Sequence, residues 1–224
     1  MTVNPSHFAP WTKGRLFRNV ELDRLSVPSG RLAMRDVHYL DGPSVELTVP
    51  PGDHRVWSTE FDIRSILKRG DPLFRPAYLS AQVSDATPVR VGVADSLCYK
   101  PSDPSGAATV DVDLGMILLN DAGAASVADL ESLDASWEAA WESAENYSEA
   151  HTADGTRIVT CKTVFERTSF TILATYDADD RPVAIHVDFG VLGAAQAAIR
   201  DSPRRVHRWA SVAGRMFPWL FRPR

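Results

Sequence analysis

The sequence predicts an α+β fold that is mainly β: twisted antiparallel sheets, sandwich-like, crossed by one amphipathic acidic helix and followed by a helical C-terminal extension. Three observations carry this. Short alternating runs separated by Gly, Pro and Asp turns fill 18–95 and 157–190, the spacing of a sheet built from hairpins and meanders. One stretch, 126–150, has helical periodicity instead. The end, from Arg200 on, holds seven Arg, no Lys and Asp201 as its one acid. Residues 1–195 read as one domain of roughly ten strands, and 196–224 as a basic helical extension.

The elements follow in chain order. Residues 1–17 are irregular, broken by Pro5 and Pro10. VELTV (45–49), the turn PPGD (50–53) and HRVWSTEF (54–61) form a hairpin signal. FDIRSILKRGDPLF (61–74) has room for a short helix with Ile63, Ile66 and Leu67 on one side. AYLSAQV (77–83) and PVRVGVAD (88–95) are strands, and 99–107 is a loop. TVDVDLGMILLND (109–121) is a strand pair or one long strand kinked at Gly115.

In 126–150, Leu130, Leu133, Trp137, Trp141, Ala144 and Tyr147 recur at helical spacing. Ser126 can cap the start, with Asp129 three residues on. The other face carries Asp129, Glu131, Asp134, Glu138, Glu142, Glu145 and Glu149, with no Lys or Arg. Strands return at 157–165, 169–177 and 182–190, the last two joined by a turn at ADD (178–180). Pro203 and Pro218 break the helices of the extension.

A net charge of −5 argues against a nucleic-acid partner, since phosphate contacts need clustered Lys and Arg. The balance is uneven: the last 25 residues carry +6, leaving −11 for the rest. Cys98 and Cys161 are the only cysteines, without a C-x-x-C, which excludes a disulfide framework and a cysteine zinc site. With no apolar leader and no run approaching 18 apolar residues, the reading is a cytoplasmic protein without a transmembrane segment.

SGRLAMRD (29–36), VPPGDHRVW (49–57), VDLGMILLND (112–121), ADGTRIVTC (153–161) and PVAIHVDFG (182–190), taken in order and spacing, resemble the bacterial domain of unknown function 4241 family over roughly 25–190. The resemblance carries Gly30, Asp36, Pro51, Gly52, Asp113, Gly115, Asp121, Asp154, Gly155, Asp188 and Phe189 onto the family's motif. Val37 stands where the family commonly has Pro, and Ala153 where it has the first Gly of a Gly-Asp-Gly loop. The family's name leaves its activity open, so the resemblance names no reaction.

Catalytic motifs are missing: there is no G-x-S-x-G, H-E-x-x-H, P-loop or G-x-G-x-x-G. Candidate chemistry rests on acids at strand ends. Asp36, Asp113, Asp121, Asp154 and Asp188 could converge on a hard divalent cation that activates water, with Asp113 and Asp188 as its ligands and His186 as a catalytic partner. The competing reading is that Asp favours turns, where its carboxylate accepts backbone N–H groups. In PVAIHVDFG, Val183, Ile185, Val187 and Phe189 share one face, and Ala184, His186 and Asp188 the other. His186 and Asp188 are then about 7 Å apart at Cα, suited to an acid–histidine pair or to a solvated sheet face. Cys161 reads as a small core residue and Cys98 as the more accessible thiol.

The preferred function is a non-enzymatic module binding a small molecule or a protein through its helix face, its tail, or a site at strand ends formed by Asp36, Asp121, Asp154 and Gly155. The alternative is a metal-assisted hydrolase. The basic tail docks on the acidic helix, on another protein, or on an anionic membrane surface.

Overall fold

The computed structural model describes residues 5–8, 10–12, 14–40, 42–64, 73–98, 108–113, 115–123, 126–131, 133–163 and 168–192. Among the described residues, twelve strands make two antiparallel sheets. The larger contains β1 (Phe17–Val27), β4 (Gly52–Asp62), β5 (Phe74–Gln82), β12 (Pro182–Asp188) and β11 (Thr168–Tyr176) in that order. Two short strands, β6 (Arg90–Val93) and β7 (Thr109–Val112), both pair with the outer edge of β11. The smaller sheet runs β3 (Val45–Thr48), β2 (Arg31–Asp36), β8 (Met116–Asp121), β10 (Arg157–Lys162), β9 (Tyr147–His151). The mainly-β sandwich is the fold that the sequence pattern predicts.

The core lies between the sheets. Leu32, Met34, Leu47, Ile117, Leu119, Val159 and Cys161 of the small sheet and Val56, Leu79, Ala81, Ile172, Ile185 and Val187 of the large one are all buried there. Cys161 is thus the core residue the alternation implies. In β1 the alternation slips by one at Asp23, where a bulge shifts the register against β4. The extra residue returns Leu25 and Val27 to the core.

Each sheet is covered on its outer side too. Two short helices, α1 (Val127–Glu131) and α2 (Asp134–Glu142), lay Leu130, Trp137 and Ala140 over Met116, Leu118 and Ile158. On the far side, the N-terminal segment puts Phe8, with no exposed surface, onto the large sheet.

Two expectations are corrected and one choice between alternatives is decided. The residues 45–61 are not a hairpin: β3 pairs with β2 and β4 with β1 and β5, so the Pro50–Pro51 turn carries the chain from one sheet to the other. The β1–β2 turn crosses likewise, and the two crossings are tied where the Val49 N–H donates to the Gly30 carbonyl (2.9 Å). Gly30 has φ +69°, and a Cβ there would sit 3.1 Å from the backbone carbonyl oxygen of Val49, so the position requires glycine. Secondly, of the two readings of 109–121 the one with two strands holds; they lie in different sheets, turned at Gly115 with φ +83°.

Thirdly, the helix does not run to 150. It breaks near Leu133, ends at Glu142, and Tyr147–His151 joins the sheet as β9. Alternation in YSEAH and pairing with β10 outweigh the helical period there. The start is as expected: Ser126 Oγ accepts the Asp129 N–H (3.2 Å), and Asp129 accepts the Ser126 N–H (2.9 Å). The acidic side chains Asp129, Glu131, Glu138, Glu142, Glu145 and Glu149 are exposed. The short helix considered within 61–74 falls mostly outside the described residues, and so does the C-terminal extension.

Candidate functional site

The end of β2, the loop after it and the edge strand β7 enclose a cleft of about 340 Å³. Asp36 closes β2; Tyr39 and Pro43 come from the loop; Asp111, Val112 and Asp113 come from β7 and the residue beyond it; Thr168 and Ser169 open β11. Period 2 in TVDVD puts Val110 and Val112 in the core, so Asp111 and Asp113 turn away from it.

Hydrogen bonds hold the walls together. Asp36 Oδ1 accepts the His38 N–H (2.8 Å), and its Oδ2 accepts the Asp113 N–H (2.5 Å). Asp113 Oδ2 accepts the Tyr39 hydroxyl (3.0 Å), and Asp111 accepts the Ser169 hydroxyl. The two sheets are thus stitched across the cleft floor by carboxylates. Three acids line it, and none of its described lining residues is Lys, Arg or His. A concave wall of one sign concentrates counter-charge. Tyr39, half exposed beside it, offers a ring to a cation.

Among the acids read from the sequence, Asp36 and Asp113 meet here. The others do not. Asp121 is fully buried where β8 ends and accepts the N–H groups of Ser29 (3.1 Å) and Gly123 (3.0 Å), besides the Ser29 hydroxyl. It fastens the β1–β2 crossing. Asp154 and Gly155 form the exposed β9–β10 turn: Asp154 accepts the Thr156 N–H (3.0 Å) and the Thr152 hydroxyl, which hold its carboxyl below the usual range, and Gly155 takes φ +87°.

His186 and Asp188 share a face, opposite Ser80 and Tyr78 on β5. That face is not solvated. Phe8 stacks on the His186 ring at 3.9 Å, and His186 has no exposed surface. Its Nδ1 bonds to the Ser80 hydroxyl (2.8 Å) and its Nε2 to Thr175 Oγ1 (3.2 Å). The Thr175 hydroxyl gives its own proton to the Ala184 carbonyl (3.4 Å). So Nε2–H donates, Nδ1 accepts, and the imidazole is neutral and satisfied. Burial pushes it down to about 3. Asp188 is pushed up by burial, partly offset by the Gly190 N–H (2.8 Å).

The Asp113–Asp188 metal pair is not assembled. Thr171 pairs with both Asp188 and Thr109, which puts Asp188 two strands across and four residues along from Asp113, roughly 16 Å away. Among the described residues, no group of three or more His, Cys, Asp or Glu is arranged to hold a metal ion.

The sequence reading missed Asp111, Tyr39 and Ser169. Asp111 had a signal, the D-V-D alternation that places it beside Asp113. Tyr39 lies in HYLDGP, whose Gly and Pro mark a surface loop. A second cleft of about 270 Å³ lies at the β4 start, lined by Arg24, Asp53, His54, Arg55, Gln82 and Asp85 among others. Its charges are of both signs, and the His54 Nε2–H donates to the Pro50 carbonyl (2.8 Å).

No family model matches the chain, no curated protein matches it, and no solved structure matches it. Among the described residues no helix is long and apolar enough to cross a membrane.

Proposed function

We propose that the protein is a non-enzymatic binding module that takes a positively charged group, such as a guanidinium or amine of a peptide, in the Asp36–Asp111–Asp113 cleft. The observation that carries this is the set of three carboxylates among the cleft's described lining residues, combined with the half-exposed Tyr39 ring. The one histidine in the predicted catalytic set is sealed under Phe8, and its acid partners are dispersed, so among the described residues the hydrolase reading has no assembled metal group to rest on. Membership in the domain of unknown function 4241 family belongs to the same proposal. Supporting it, the motif segments 29–36, 112–121 and 153–161 lie side by side as β2, β8 and β10. A reducing bacterial cytoplasm is the matching location, supported by two free cysteines.

Fluorescence anisotropy with labelled tetra-arginine and tetra-glutamate tests it on the full chain. Tetra-arginine binds, more weakly as salt rises, and at least tenfold more weakly to the Asp111→Asn/Asp113→Asn protein. Equal affinity of both proteins for tetra-arginine would remove the cleft from the account. A rise in melting temperature with Mg²⁺, Ca²⁺, Mn²⁺ or Zn²⁺ that those substitutions abolish would restore the hydrolase reading.

A further inference from the structure

We infer that the second cleft, at the start of β4, binds a small zwitterion: an ammonium and a carboxylate carried close together, as in a free amino acid or a dipeptide. This site shares no lining residue with the Asp36–Asp111–Asp113 cleft. Three strands build it. Arg24 of β1 lies opposite Arg55 of β4, and Arg55 lies opposite Gln82 of β5. Their neighbours Leu25, Val56 and Ala81 turn into the core, so period 2 turns Arg24, Arg55 and Gln82 outward in one row. Arg24 and Gln82 are then about 10 Å apart at Cα. Asp53 joins them from the start of β4, and Asp85 from the segment after β5.

Gln82 is the residue that points to a ligand. It lines the cleft, only 9 % of it is exposed, and its Oε1 has no hydrogen-bond partner. Turning the amide over does not cure this. Its Nε2–H groups donate to the Ser84 carbonyl (3.1 Å) and the Asp85 carboxylate (3.2 Å), and a flip would set Oε1 against two acceptors. The donor opposite it in the row, Arg55, is engaged elsewhere. Arg55 Nε and Nη2 hold Glu21 side-on at 2.6 and 2.8 Å, and the guanidinium lies over the Trp57 ring at 4.8 Å. Trp57, one pair further along the same face, also has a buried Nε1–H without a partner, so the two groups do not satisfy each other. A buried acceptor without a donor destabilises the fold, and a ligand N–H recovers that loss.

The charges around Gln82 select the ligand. Arg24 and Asp53 are exposed, and among the described residues neither side chain is held in an ion pair. An ammonium has three donors, enough for Gln82 Oε1, Asp53 and Asp85. The carboxylate beside it then meets the planar fork of Arg24. A lone cation would face Arg24, and a lone anion would face two aspartates. The cleft holds about 270 Å³, below the roughly 300–1,000 Å³ of sites for drug-sized molecules, so the ligand is small. His54 takes no part: it is buried, and its Nε2–H braces the turn through the Pro50 carbonyl (2.8 Å).

The test follows the full chain by proton–nitrogen NMR while pooled probes are added, first the common amino acids and then a set of dipeptides. A pool shifts the Gln82 side-chain amide and the backbone amides of 52–55 and 82–85 saturably, and which pool does so separates the two sources. Ethylamine and propionate, the two halves of the ligand, need at least tenfold higher concentrations. Arg24→Gln and Asp53→Asn, both at exposed positions that leave the fold intact, each weaken the pool's effect at least tenfold. Gln82→Met, which keeps the bulk and removes the acceptor, does the same. No saturable shift from either pool overturns the inference. Ethylamine or propionate acting as well as the pool also overturns it, because the site then takes a single charge. Binding unchanged in all three variants places the ligand elsewhere and overturns it too.

Discussion

The row of β12 ending in Asp188 and the cleft at the end of β7 are made of the same materials, yet the structure uses them oppositely. Both derive from alternating strands, V-D-V-D in one and I-H-V-D in the other, and both present polar side chains away from the core. Over β12 lies Phe8. It seals His186 against water, and Ser80 and Thr175 satisfy both ring nitrogens. Asp111 is exposed and Asp113 half-buried, and both carboxylates line a cleft. Period 2 decides which way a side chain points; what covers that face decides whether it is structure or site.

The largest test of this contrast removes the cover. Phe8→Ala should cost about 3–5 kcal/mol, as for other fully buried aromatics, read as a fall in the denaturation midpoint. An effect below about 1 kcal/mol, within the range of surface substitutions, would mean that Phe8 does not seal the face. Next comes Asp121→Ala, which strands the N–H groups of Ser29 and Gly123 and should cost about 2–4 kcal/mol. A neutral result would move Asp121 out of the structural class.

The acid side of the stability curve sharpens the comparison. His186 is neutral in the fold down to about pH 3, whereas the unfolded chain takes up its proton near pH 6.5. Between those values the unfolded state binds more protons, so stability is full above about pH 6.5 and falls as pH is lowered towards 3. Asp188, raised by burial, opposes this slightly near its own range. In His186→Gln protein, urea melts between pH 6.5 and 4 should show a flatter fall; an unchanged slope would assign the acid sensitivity elsewhere. The smallest effect is expected in the cleft. Asp111→Asn/Asp113→Asn keeps hydrogen-bonding capacity and relieves like-charge crowding, so stability should stay within about 0.5 kcal/mol while tetra-arginine binding drops. A large destabilisation would make the cleft a structural joint.

The sheet content, most strand positions, the Ser126–Asp129 cap and the burial of Cys161 were legible because each is fixed by local pattern. Partnership between strands was not. The Pro50–Pro51–Gly52 turn looks like a hairpin, yet it changes sheets, because a turn signal says that the chain reverses and not which edge it meets. Tyr147 lay at helical spacing from Trp137 and Trp141, but the free edge of β10 claimed it as sheet. Of the site, Asp36 and Asp113 were legible as strand-end acids. Their meeting with Asp111 and Tyr39 depends on how two sheets are stacked, and His186 was misread because its cover comes from a residue 178 positions earlier in the chain.

One NMR titration of the full chain sets the two regions against each other directly. Tetra-arginine is added while the backbone amides and histidine ring signals are followed. The contrast drawn above predicts shifts confined to 36–43, 111–113 and 168–169, with the His186 ring unmoved and uncharged at pH 6. A His186 signal that moves with the peptide, or that titrates near pH 6.5, would contradict it and return the site to β12.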